Sequence, residues 1–159
     1  MKNSLSPLAL KLTIHATAAR RPLWKLSSAV DFLGVEPGQL LAQIESGELP
    51  WAFNIAEGKR RSEPRIFATS ILEKVLGASP QIGATKNLAL PAVVNLVLPA
   101  RDVRSTELVR ILSCSQQTVH KLADFWRAVR KPVASDGPES YTLFDRGSVA
   151  AWLSERRMV

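Results

Sequence analysis

The chain has 159 residues, 46% of them hydrophobic, and a formal charge of +7 with an isoelectric point near 10.1. That hydrophobic share supports a packed core and excludes a disordered tail, and the length suits two compact units of roughly 50 to 60 residues. The charge favours a polyanion partner, nucleic acid ahead of an anionic membrane surface, while the single cysteine, Cys114, excludes an intrachain disulfide and fits a reducing cytoplasm.

Residues 1–22 read as an N-terminal arm with an alternating strand candidate, "LALKLTI", at 8–14; Lys11 and His15 interrupt any signal-peptide core. The first unit spans 23–77. Ser27 or Ser28 predicts a helix cap, Gly34 ends that helix after Leu33, and Pro37 opens a second one. "LPWAFNI" then alternates Leu49, Trp51, Phe53 and Ile55 in the manner of a half-buried strand. A basic turn, "GKRRSEPR", leads to a return strand ending in Phe67 and a third helix capped by Thr69 or Ser70.

Residues 78–100 read as a linker holding a second apolar strand, "VVNLVL", at 93–98; Pro91 and Asn95 break this run, which is too short to span a bilayer. The second unit, 101–159, repeats the first. Ser105 or Thr106 caps a helix that ends at Ser113 after Leu112, Ser115 caps the next, and "FWRAVRKPV", the turn "ASDGPES" and the strand "YTLF" precede a final helix from Gly147 or Ser148. Residues 26–47 align with 105–126 at a spacing of 79, and 65–76 with 142–153 at 77, so that small or apolar residues coincide. Leu33 and Leu112 are expected in the core.

Helix, turn, helix, hairpin, helix is the order of a winged helix. The expected fold is α+β, mainly α: two tandem winged helix-turn-helix units with small antiparallel hairpins. Strands at 8–14 and 93–98 stand at equivalent positions, so they either pair about a pseudo-twofold axis as an internal pseudo-dimer or pack as linker on their own units. Residues 23–77 hold six basic and seven acidic residues, yet four of the six cations, Lys59, Arg60, Arg61 and Arg65, fall in one seven-residue span. Clustering of this kind on a hairpin tip points to a phosphate backbone.

The helix pair "LSSAVDFLGVEPGQLLAQIESGELP" and the closing "RIFATSILEKVL" resemble the excisionase-like, MerR-type winged helix-turn-helix family. The resemblance covers most of both copies. It implies that each second helix enters the major groove while each wing contacts the adjacent backbone. Carried over by position, the reading residues are Gln39 and Gln43 in copy one and Ser115, Gln116, Gln117, His120 and Lys121 in copy two. The wing set is Lys59, Arg60, Arg61 and Arg65, with Arg127, Arg130 and Lys131 in copy two. Glutamine can bond an adenine edge and lysine a guanine acceptor or phosphate, whereas acids at 36, 45 and 48 oppose phosphate in copy one.

No Gly-rich phosphate loop, metal cluster or nucleophile triad appears; His15 and His120 are the only histidines. The expectation is a non-enzymatic, cofactor-free, cytoplasmic reader of double-stranded DNA, and the family resemblance implies a bacterial or phage accessory or regulatory protein of a mobile element. The same resemblance implies an integrase, relaxase or partition protein as a further partner, and the chain would act as a monomeric pseudo-dimer or as a homodimer. The alternative is a protein-interaction module that uses winged helices as docking surfaces.

Overall fold

A computed structural model describes residues 20–57, 61–129 and 142–158. The protein is α+β, with seven α-helices and two small antiparallel three-stranded sheets among the described residues. The first half runs β1 (Leu23–Lys25), α1 (Leu26–Leu33), α2 (Pro37–Glu45), β2 (Ala52–Asn54), β3 (Pro64–Phe67) and α3 (Ala68–Leu76). A 3-10 turn at Thr85–Asn87 and α4 (Leu90–Val97) lead into the second half. There follow β4 (Val103–Arg104), α5 (Ser105–Ile111), α6 (Gln116–Leu122), a 3-10 turn at Ala123–Phe125, β5 (Ala128–Val129), β6 (Leu143–Phe144) and α7 (Arg146–Glu155). The sheet orders are β1-β3-β2 and β4-β6-β5, so strand, two helices, two strands and helix are laid down twice in one arrangement.

Gly34 ends α1 in the left-handed conformation, φ 64°, which costs a residue without Cβ little. Pro37 opens α2, where a missing N–H is not needed. Ser115 caps α6 by accepting the Thr118 N–H at 3.2 Å. The remaining helices start earlier than their serines and threonines suggest: Lys25 precedes α1, Arg104 precedes α5 and Phe67 precedes α3. Asp145 caps α7, its carboxylate accepting the Ser148 N–H at 2.9 Å. At α1, α3 and α5 a strand residue runs directly into the helix. Pairing puts Ile66 opposite Trp24 and Ala52, as Phe144 lies opposite Val103 and Ala128. Ile66, rather than Phe67, is therefore the counterpart of Phe144, one residue off the expected spacing.

The expected strand at 93–98 is a helix. Val93, Val94, Val97 and Leu98 are buried while Asn95 and Leu96 face out, a period near four, and Pro91 occupies its first turn. Strand pairing between 8–14 and 93–98 is therefore excluded; residues 8–14 lie outside the described residues. No described helix is long and apolar enough to cross a membrane.

The first sheet is buried on both faces. Ala52 and Ile66 pack against α1 and α2 with Ala29, Leu40, Ile44 and Ile71. On the other face Leu23, Trp51, Phe53, Ile55 and Phe67 join one core with α4 and the second half, including Val93, Val103, Leu112, Trp126 and Trp152. The expected alternation of Trp51, Phe53 and Ile55 is thus real, but their side faces the other unit rather than its own helices. Leu112 is fully buried, whereas Leu33 is only half-buried at the rim of the smaller core. Residues 156–158 then close the first sheet. The Asn54 N–H donates to the Arg156 carbonyl at 2.8 Å and the Met158 N–H to the Ala52 carbonyl at 2.7 Å, with Phe53 bridged to Arg157. Arg157 lies over the Trp51 ring at 4.1 Å.

Candidate nucleic-acid interface

The expected reading helix of copy two is α6, which carries an exposed polar row. Val119 and Leu122 point into the shared core, which turns Gln116, Gln117, His120 and Lys121 to solvent on the opposite side. Ser115 is exposed beside them, its hydroxyl paired with that of Thr118 at 3.0 Å. Five expected reading residues are thereby gathered on one short helix and its cap. Two carboxamides, an imidazole and an ammonium offer hydrogen-bond donors and acceptors to solvent.

The equivalent α2 is poorer. Gln39 is exposed, but Gln43 is half-buried, with Oε1 lacking a hydrogen-bond partner among the described residues. Glu36 and Glu45 are exposed on the same element or its cap, and Glu48 follows it, paired with Lys74 at 3.0 Å.

The residues expected in the wings divide. Arg61 is exposed, on a hairpin held by Asn54, whose side chain donates to the Arg61 carbonyl at 3.4 Å and accepts the Glu63 N–H at 3.0 Å. Lys59, Arg60, Arg130 and Lys131 lie outside the described residues. Arg127 is exposed but pairs with Asp145 at 2.9 Å, and that hydrogen bond holds the Asp145 carboxyl below its ordinary range.

Arg65 is a correction. Only 7% exposed, it donates from Nε to the Leu112 carbonyl at 2.7 Å and from Nη2 to the Ser113 carbonyl at 3.2 Å. Those carbonyls close α5, so the guanidinium serves the negative end of a helix and cannot reach a phosphate. Burial lowers its pKa, with Glu63 opposing. Arginine stays charged all the same.

Ser113 completes this seam. It takes the left-handed φ of 48° at the position where the first half has Gly34. Its hydroxyl donates to the Leu23 carbonyl at 2.6 Å, and with Arg65 this bond fixes a backbone shape that costs a side-chain-bearing residue about 1–2 kcal/mol. Nearby, Arg110 Nη1 donates to the Arg20 carbonyl at 2.7 Å.

Beside these contacts the two halves enclose an open cleft of ≈ 1130 Å³ that residue-by-residue reading did not find. Its cations are Arg20, Arg21, Lys25 and Arg110. The signal in the sequence was the "ARRPLWK" stretch, but Arg110 joins it only through folding. Cys114 lies on the same wall, half-buried, and burial pushes its thiol pKa up, away from ready reactivity. No model of a known protein family matches the chain, and no match was found among curated proteins or solved structures.

Proposed function

We propose that the protein is a sequence-reading, double-stranded DNA-binding protein of two winged helix-turn-helix units, with α6 as its principal reading helix. The observation that carries this reading is the exposed row Gln116, Gln117, His120 and Lys121 on a helix seated by Val119 and Leu122 behind a tight turn. Exposed Arg61 supplies a backbone contact from the first hairpin. The half-buried Gln43 and the acids around α2 make the first unit the weaker reader. An accessory role beside an integrase, relaxase or partition protein follows from the family resemblance alone.

Random-site selection on the full chain tests this. A defined duplex should emerge, and Gln117→Ala should cost roughly 1–3 kcal/mol on it while changing affinity for random DNA little. Arg61→Ala should weaken both duplexes and flatten the salt slope by about 0.9. Failure to enrich any sequence, or a Gln117→Ala loss equal on all duplexes, would overturn the reading.

A further inference from the structure

The cleft between the two halves differs chemically from α6. Each of its charged residues is a cation: Arg20, Arg21 and Lys25 from the start of the first half and Arg110 from α5, all four exposed. The bond from Arg110 to the Arg20 carbonyl brings the cations of the two halves side by side. The same cleft is lined by an aromatic pair, Trp24 and Phe32, with ring centroids 5.5 Å apart and planes at 81°. Phe32 is 44% exposed, one of few large apolar side chains in water.

We propose that this cleft binds a single-stranded nucleic-acid segment, with its phosphates on the four cations and a base stacked on the Trp24–Phe32 pair. A duplex presents charge along its rim but keeps its bases stacked inside, so it would satisfy the cations and leave the aromatic rings wet. An acidic peptide would also satisfy the cations, but it has no planar ring at each charged unit. An unpaired strand alternates a phosphate with an exposed base face, and stacking on aromatic rings tolerates any sequence. The cleft exists only because the two halves pack together. Its occupancy does not depend on α6 reading a duplex.

Trp24 reports on this directly. Of the four tryptophans, Trp51, Trp126 and Trp152 are buried and Trp24 alone is partly exposed, so a stacked base should quench its emission. The full chain is titrated with short oligothymidylate and oligouridylate, a duplex of equal length, and polyglutamate, following emission and the anisotropy of labelled strands. At least one unpaired strand should bind and quench, and the quench should vanish in Trp24→Phe. Phe32→Ala should weaken the unpaired strand on the order of tenfold and leave duplex affinity unchanged. Arg110→Ala should flatten the single-strand salt slope by about 0.7.

The proposal is overturned if neither strand binds, if duplex quenches equally, or if Phe32→Ala and Arg110→Ala leave strand binding unaltered. Polyglutamate that quenches Trp24 and displaces the strand at equal charge would make an acidic peptide the occupant instead. Gln117→Ala separates the two sites, because it should touch duplex binding alone.

Discussion

Ser113 and Arg65 carry more of the architecture than their exposure or charge would suggest. Arg65 lies 47 residues before Leu112, yet its side chain ends on the carbonyls of Leu112 and Ser113 and so ties the first hairpin to the turn that launches α6. Removing it strands two acceptors in a buried seam, each worth about 1–3 kcal/mol when left without a donor. Arg65→Ala should therefore lower unfolding free energy by about 2–4 kcal/mol in urea titration, with Arg65→Lys recovering only part because it lacks the planar fork. Unchanged stability in Arg65→Ala would mean that the seam does not depend on this contact. In the sequence Arg65 was indistinguishable from its neighbours Lys59, Arg60 and Arg61. Its burial comes from residues far along the chain, and no local pattern encodes it.

At the scale of elements, what was legible is what is local. Gly34, Pro37 and Ser115 mark turn, helix start and cap by backbone conformation or a bond within three residues, and those boundaries match. Strand residues that run straight into a helix leave no such mark, which is why the starts of α1, α3 and α5 lay earlier than their hydroxyl residues, whereas α7 starts behind the local cap Asp145. The valines of α4 favour strands by propensity, but packing on one side of a helix decides the matter. Its two readings differ at one pair of positions: a strand puts Val94 and Leu96 on one face, whereas the helix buries Val94 and leaves Leu96 42% exposed. Leu96→Asp should thus shift the melting temperature little. Val94→Asp, which buries a charge without a partner, should unfold the protein or lower its melting temperature by many degrees. Equal effects would restore the strand.

For the whole molecule, the larger core belongs to neither half. Leu23, Trp51, Phe53, Ile55 and Phe67 pack with residues from Val93 to Leu153, so separation of the halves would expose a wall of each. Thermal unfolding followed by tryptophan emission and by backbone circular dichroism should give one coincident transition. The excised span 23–77 should show none. Two resolved transitions would mean that the halves are independent domains. Internal repetition and hairpin order could be read along the chain, but the seam, the shared core and the cationic cleft arise from distant contacts and became visible only in three dimensions.

The strand-like pairing of residues 156–158 on β2 bears on how the protein is made. Ribosomes deliver β2 long before its last neighbour, since Ala56 and Arg156 are bonded across 100 positions. Until then the outer backbone groups of Ala52 and Asn54 stay open beside Trp51 and Phe53, a template on which a strand of another nascent chain can settle. Translation that stalls before Arg156 would leave a product whose sheet edge is unpaired and adhesive, so closure of that edge is a late event in synthesis.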